Sequence, residues 1–448
     1  MGFKRISVIG LGYIGLPTAA MFASKKIHVI GVDVNERTVE TINKGGVHIV
    51  EPDLDIAVKA AVQSGFLRAT TQPESAEAYL IAVPTPFKGD NHEPDLSFIK
   101  AASKNVAPML EAGNLVVLES TSPVGATEQM AGWLAKERPD LTFPQTHGEE
   151  ADVQIAHCPE RVLPGQVMRE LVTNDRVIGG LSRKCSERAT KLYKSFTRGE
   201  CITTNARTAE MAKLTENSFR DLNIAFANEL SIICEEENID VWELIELANR
   251  HPRVGILQPG PGVGGHCIAV DPWFIVSKQP KNARLIKTAR LVNDSKPEWV
   301  VEKVKQTCFE FSHNENIAIQ DVTVACYGIT FKADIDDLRE SPSLRIVEQL
   351  DRELQCNKVI CEPNINKLPD SISHLSLVSP ESALELADVV LILVDHFQFR
   401  SLSSTSLCTK YLVDTKGVVV DQSSNFVGSK TIGKTKFSLP ELQSSMQE

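Results

Sequence analysis

Short apolar runs alternate with longer mixed segments along the first half of the chain. RISVIG (5–10), HVIGVD (28–33), YLIAVP (79–84), LVVLES (115–120), VQIAHC (153–158) and DRVIGG (175–180) are nearly continuous and rich in β-branched residues. That is the pattern of strands buried on both faces of a parallel sheet. The segments between them are long enough for crossover helices, so an α/β unit is expected. Residues 206–250 change character: they contain no Pro or Gly, and their apolar positions recur at helical spacing. One long helix and then a shorter one are expected there, a natural connector or dimer face. A Gly/Pro-rich loop follows at 255–266, then helical patterns over 283–312. Alternation resumes with DVTVACYGITF (321–331), CNKVICEPN (356–364), ADVVLILVDH (387–396) and YLVDTKG (411–417).

The first run ends in VIGLGYIG, which sets Gly10, Gly12 and Gly15 directly after a strand. Glycines so spaced permit a tight turn, close approach of a pyrophosphate and packing of helix on strand. The phosphates would rest on the amides of the helix N-terminus. A lone GxGxxG is weak evidence. Here the second strand ends in Asp33, eighteen residues after Gly15, where a carboxylate can bind both ribose hydroxyls. A carboxylate would repel a 2′-phosphate, so the cofactor reading is NAD. Tyr13 and Ile14 lie inside the turn and are expected to pack over the pyrophosphate. VPTP (83–86) and ESTSPVGAT (119–127) follow later strands, whose carboxyl ends face the crevice; Thr85, Thr121 and Thr127 are therefore candidate contacts. The second α/β unit carries no GxGxxG. The expected fold class is α/β: two Rossmann-like doubly wound domains joined by a long central helix. The expected partition is 1–205, 206–312 and 313–420, with a Ser/Lys/Gln-rich tail at 421–448 that reads as loosely ordered.

The net charge of -11 over 448 residues argues against nucleic acid, which selects a basic face. A local Arg/Lys cluster could still hold an anionic substrate. Ten cysteines contain no CxxC, so neither structural zinc nor a disulfide framework is expected, and reduced thiols in a cytoplasmic protein are. The start, MGFKRISVIGLGYIGLPTAAMFASKK, has the basic-then-apolar order of a signal peptide. Its three glycines and the following HVIGVDV favour strand–turn–helix instead. Elsewhere no run of about twenty apolar residues occurs, so no membrane span is expected.

On the long helix Lys213, Asn217 and Arg220 are spaced i, i+4, i+7 and share a face. That spacing fits a solvated stripe as well as a site. The neighbouring face is apolar, and a buried cation needs a partner. In PGPGVGGHCIAVDPW (259–273) Cys267 ends a glycine run that lets backbone approach a ligand. Alone, it reads as metal ligand, nucleophile or small buried hydrophobe. Adjacent His266 and Cys267 are poor zinc geometry. A nucleophile would want a cation nearby, for which Lys213 and Arg253 are candidates. Asp271 lies four residues on, placed to orient a base or water.

Taken together, VIGLGYIGLP, VPTP, STSPVG, CPER, AKLTENSFRDLNIAFANE, GGHCIAVDPW and GITFKADIDDLRESPS resemble the UDP-glucose/GDP-mannose dehydrogenase family, in its order and over nearly the full length. HPRVGILQPGPGVGGHCIAVDPWFIV and ESTSPVGATEQMAGWLA look most like the branch acting on UDP-N-acetylmannosamine. Glucose and N-acetylglucosamine are the nearby alternative sugars, and a silent nucleotide-sugar sensor is the alternative class. The resemblance implies a four-electron oxidation at C6 with two NAD reduced, for a bacterial surface polysaccharide. Cys267 would trap the aldehyde as a thiohemiacetal and carry it to a thioester. Lys213 would polarise the oxygen, Asn217 donate to it and Asp271 orient water. Glu160 of CPER would serve acid/base chemistry. By the same transfer Arg161, Val162, Arg220, His251, Arg253, Gly264, Phe331, Lys332 and Lys416 would line the substrate. Arg339 would meet substrate or cofactor phosphates. Arg161 stands where many UDP-glucose enzymes carry an apolar residue, which favours another sugar. A homodimer or higher homo-oligomer is expected.

Overall fold

A computed structural model describes residues 2–89, 91–163, 165–402, 407 and 410–419. The tail from Asp421 expected to be loosely ordered lies outside the described residues. Two compact units emerge: residues 1–216 with 273–280, and 217–272 with the chain from 281 onward. The break falls within the long helix.

The first unit holds β1 (Arg5–Ile9), β2 (His28–Val32), β3 (Leu67–Thr70), β4 (Ala78–Ile81), a two-residue hairpin of β5 (Phe87–Lys88) and β6 (Glu93–Pro94), β7 (Leu115–Leu118), β8 (Gln154–His157), β9 (Arg176–Gly180) and β10 (Cys201–Asn205). Eight of these make one sheet, ordered β10-β9-β8-β7-β4-β1-β2-β3. All pairs are parallel except β8 with β9. Both faces are buried: Leu115 and Val117 enter one core and Val116 and Leu118 the other. That alternation explains why these strands read as continuous apolar runs.

The second unit holds β11 (Thr323–Tyr327), β12 (Asn357–Cys361), β13 (Ser376–Leu377), β14 (Val389–Ile392) and β15 (Tyr411–Asp414) in an all-parallel sheet, β13-β12-β11-β14-β15. Val324 and Cys326 face one core, Ala325 and Tyr327 the other. β11 stops four residues before the expected end, because Gly328 turns the chain at φ +87°. β15 stops at Asp414, whose carboxylate accepts the Lys416 and Val419 amides at 2.8 and 3.0 Å. Each sheet is doubly wound, with switch points between β1 and β4 and between β11 and β14.

Two long helices carry the region between the sheets in sequence. Ala206–Glu236 and Arg284–Glu315 bracket the shorter helices Val241–Asn249 and Asp271–Lys278.

Candidate active site

The glycine turn of the first unit is shaped by contacts each glycine alone permits. Gly10 has φ +92°, and a Cβ there would sit 2.7 Å from the Ala82 carbonyl oxygen; a Cβ on Gly15 would meet the Gly10 oxygen at 1.8 Å. Gly12 differs: apart from its own chain neighbours, no atom of the described residues lies within 4 Å of its Cβ position. The next helix, Gly15–Ser24, has no side-chain cap and no acidic residue in its first turn, so its N-terminus is suited to an anion. Asp33 Oδ2 accepts the Leu11 amide at 3.0 Å and Oδ1 the Asn35 amide at 2.9 Å. The carboxylate thus holds the turn and is half-buried. In the loop after β4, Thr85 Oγ1 is buried without a partner. An open glycine face, uncapped amides, an acidic strand end and an unsatisfied hydroxyl together fit a dinucleotide.

The second unit repeats the clamp. Gly328, at φ +87°, donates to the Cys361 oxygen at 2.8 Å, as Gly10 does to Val32 at 2.8 Å. Glu362 Oε2 accepts the Ile329 amide at 2.9 Å and Oε1 the Asn364 amide at 3.1 Å. Here the carboxylate is closed over: buried His396 places Nε2 at 3.0 Å from Glu362 Oε2. Burial opposes ionisation of Glu362, but the bond and charge of His396 together with the Ile329 and Asn364 amides outweigh it and hold the carboxyl below its usual range. The ribose-type carboxylate is open in the first unit and occupied in the second.

Cys267 is half-buried, and its carbonyl accepts the Val270 and Asp271 amides at 3.0 and 2.8 Å as the chain turns into the helix Asp271–Lys278. Asp271 is 3 % exposed and accepts Asn217 Nδ2 at 2.5 Å. Lys213 lies one helical turn before Asn217 and is half-buried. Arg220, His251 and Arg253 are exposed. Three glycines of this loop, Gly262, Gly264 and Gly265, are packed tightly against protein on the side a Cβ would take. A Cβ on Gly264 would fall 2.5 Å from the Glu340 oxygen and 2.7 Å from Phe331 Cβ, and Gly265 faces the Phe331 ring. The Gly265 amide donates to the Arg339 oxygen at 3.1 Å. Phe331 and Arg339 are thereby brought to the cysteine loop, with Lys332, half-buried, between them in sequence. The Arg339 guanidinium is bidentate on Asp337. Burial pushes the Asp337 carboxyl up, and Arg339 more than offsets it. Lys416 Nζ lies 3.7 Å from Asp395 Oδ1 and 3.5 Å from the Cβ position of Gly260.

Three expected residues have other engagements. Thr127 is fully buried, and its hydroxyl and amide both donate to Glu210 Oε1, at 2.6 and 2.8 Å; Thr121 stays half-buried in the same loop. Arg161 is paired with Glu216 at 2.6 Å. Glu160 is buried and lies 3.0 Å from Arg176 Nη2. Val162 and Tyr13 pack against the first core, and Ile14 is half-buried.

The network behind Glu160 escaped the sequence reading. Arg176 stacks over Tyr193, 4.7 Å from the ring centre, and Tyr193 donates to Glu119 Oε1 at 2.5 Å. Burial pushes Glu119 up to about 7 and the Cys158 thiol up to about 12. The available signal was a charged residue directly ending a buried strand, in LVVLE and again in KVICE at Glu362.

An open dinucleotide turn on one doubly wound sheet, and a second such sheet sharing its unit with a cysteine loop, define an NAD-linked dehydrogenase of two Rossmann-like halves. The chain belongs to the UDP-glucose/GDP-mannose dehydrogenase family. Residues 4–197 match its NAD binding domain, 207–295 its central domain and 325–423 its UDP binding domain. It is an NAD-dependent oxidoreductase with a UDP-sugar substrate. It is 62 % identical over 93 % of its length to the whole of a UDP-N-acetyl-D-mannosamine dehydrogenase from Yersinia pestis. It is 60 % identical, over 93 % of this chain and 96 % of the relative, to an NDP-N-acetyl-D-galactosaminuronic acid dehydrogenase from Ralstonia nicotianae. Among solved structures it is similar to a UDP-D-ManNAc dehydrogenase from Pyrococcus horikoshii, with TM-score 0.84, 38 % identity and coverage of 94 % and 98 % of the two chains. No helix among the described residues is long and apolar enough to cross a membrane.

Proposed function

We propose that the chain oxidises C6 of UDP-N-acetyl-D-mannosamine from primary alcohol to carboxylate, with Cys267 as covalent nucleophile. The observation that carries this reading is buried Asp271, held by Asn217 at 2.5 Å, one turn beyond a half-buried cysteine. NAD, when bound at the glycine turn, supplies the hydride acceptor for each of the two oxidations. Lys213 polarises the C6 oxygen, a role suited to a fixed cation. Asn217 has a second amide hydrogen for the same oxygen. Cys267 Sγ adds to the C6 aldehyde, giving a thiohemiacetal whose oxidation yields the thioester. Water oriented by Asp271 cleaves the C–S bond and returns the thiol. One alcohol, two NAD and one water give one carboxylate, two NADH and three protons. Glu160, buried 3.0 Å from Arg176 Nη2, is assigned the acid/base role.

Arg161, Val162, Arg220, His251, Arg253, Gly264, Phe331, Lys332, Arg339 and Lys416 are assigned to the substrate. Tyr13, Ile14, Thr85 and Thr121 are assigned to the cofactor. Thr127 acts on the cofactor loop through Glu210. The working form is at least a homodimer, a reading supported by Phe219, Phe226 and Ile233, exposed apolar residues at heptad spacing on the long helix. The reaction belongs in the cytoplasm, where thiols stay reduced. A second reading, an NDP-N-acetyl-D-galactosamine substrate, is favoured by the Ralstonia relative. An assay of NADH formed per sugar, across a panel of UDP-hexoses and UDP-N-acetylhexosamines, tests the proposal. Two NADH per N-acetylmannosamine substrate are expected, and Cys267→Ser should bind it yet not complete the reaction. Full turnover by that variant would rule out the covalent route.

A further inference from the structure

The long helix grips the cysteine loop at both ends. Asn217 donates to Asp271 at the loop's C-terminal end. Eleven residues further along the same helix, about 16 Å at 1.5 Å per residue, Asn228 Oδ1 accepts the Gly260 amide at 2.8 Å. Asn228 is fully buried, and its Nδ2 donates to Asn293 Oδ1 at 2.9 Å. Asn293 in turn donates Nδ2 to Asp221, at 3.0 Å to the backbone oxygen and 2.8 Å to Oδ1. Asp221 is ion-paired with buried Arg290 at 2.6 Å.

The direction of this relay is dictated chemically. The Asp221 backbone oxygen can only accept, so Asn293 must present its NH₂ to it. The Asn293 oxygen is then left for the NH₂ of Asn228. The Asn228 oxygen must therefore face Gly260, whose amide only donates. A Cβ on Gly262 would meet the Asn293 backbone oxygen at 3.2 Å, so the loop also rests on the second helix at this point.

We infer that Asn228 is a positioning residue: through Gly260 it fixes the N-terminal anchor of the loop, and so the reach of Cys267 Sγ towards the C6 aldehyde. This rests on the nucleophile role given to Cys267 above. The relay holds the loop at the end opposite Asp271 in sequence, so losing it should loosen the cysteine without touching the glycine turn that holds NAD.

The test uses the full-length enzyme with UDP-N-acetyl-D-mannosamine and NAD. The variants are Asn228→Ala, the near-isosteric Asn228→Asp, which sets oxygen against the Asn293 oxygen, and Ser231→Ala. Ser231 lies one turn on and is buried, accepting Lys296 Nζ at 2.6 Å and donating to the Asn228 backbone oxygen at 2.6 Å, so it leaves the Asn228 side chain in place. Both Asn228 variants should slow the second oxidation, on the order of a hundredfold for a misplacement near 1 Å. They should release aldehyde trappable by semicarbazide, drop NADH per sugar from two towards one and keep the wild-type KM for NAD. Ser231→Ala should keep two NADH per sugar. Backbone amides of residues 260–267 should exchange hydrogen faster in the Asn228 variants alone, a readout independent of the chemistry. Wild-type stoichiometry and exchange in both Asn228 variants would overturn the inference, as would equal aldehyde release by Ser231→Ala. If Cys267→Ser itself formed two NADH, the nucleophile reading would fall, while exchange at the loop would still report whether Asn228 anchors it.

Discussion

Adding one carbon at Gly264 tests how the cysteine loop is held. The backbone at Gly264 lies outside the left-handed region, so alanine meets only a steric penalty. Its Cβ would stand 2.5 Å from the Glu340 oxygen and 2.7 Å from both Phe331 Cβ and Pro342 Cδ. Ordinary contacts lie near 3.5 Å, so three groups must each retreat by about 0.8 Å or more. None is the tip of a flexible side chain, which puts Gly264→Ala at the upper end for overpacking, about 3 kcal/mol. The melting temperature should fall by roughly 6–12 °C. Gly265→Ala makes the informative contrast. Its clashes are with Phe331 ring atoms at 2.9, 3.1 and 3.3 Å, and its φ is +79°. Removing the ring with Phe331→Ala should rescue the steric part at 265 and leave about 1–2 kcal/mol of left-handed strain. The same change cannot rescue 264, because alanine keeps the Cβ that clashes. Double-mutant cycles in urea should therefore give coupling of 1 kcal/mol or more for 265 with 331, and near zero for 264 with 331. A Gly264→Ala protein melting within a degree of the wild type would refute the packing account. So would coupling at 264 and not at 265.

Two further outcomes follow from the first unit. Asp33→Asn keeps an oxygen for the Leu11 amide but loses the charge, so KM for NAD should rise about tenfold, and discrimination against NADP should narrow in steady-state kinetics. Burial pushes Glu119 up to about 7 in the folded chain, from the 4.5 of an ordinary glutamate. A raised folded pKa gives stability that is complete below the unfolded pKa and is lost as pH rises through 7. Glu119→Gln should therefore remove a decline in stability, worth up to about 3 kcal/mol, between about pH 5 and pH 8. Parallel urea curves of the two proteins across that range would contradict it.

Much of the fold was legible because burial on both faces writes strands as apolar runs. The strands that went unread are the least buried: β3 and β10 lie at the two edges of the first sheet, β5 and β6 form a separate hairpin of two residues each, and β13 is two residues at an edge of the second sheet. Half-exposed edges carry no continuous apolar signal. The reversal of β9 was also illegible, since a buried strand reads the same in either direction. The dinucleotide site was legible because its glycines and Asp33 are local, the turn and the next strand end being fixed by covalent spacing. The repeat of that clamp by Glu362 was not, because it lacks the glycine pattern and its histidine arrives 34 residues later.

The sequence by itself determined the α/β class, the NAD turn, the cysteine loop and the family, all written in contiguous strings. Only the tertiary structure decided what holds the loop. Its glycines are tight because Phe331 and residues 340–342 press on them, and its ends are pinned by Asn217 and Asn228. Those partners are distant in sequence, and each hydrogen bond takes its direction from the next acceptor along the relay. Such an arrangement exists only once the two long helices have packed, because only then do Asp221, Asn293 and Asn228 line up to face Gly260.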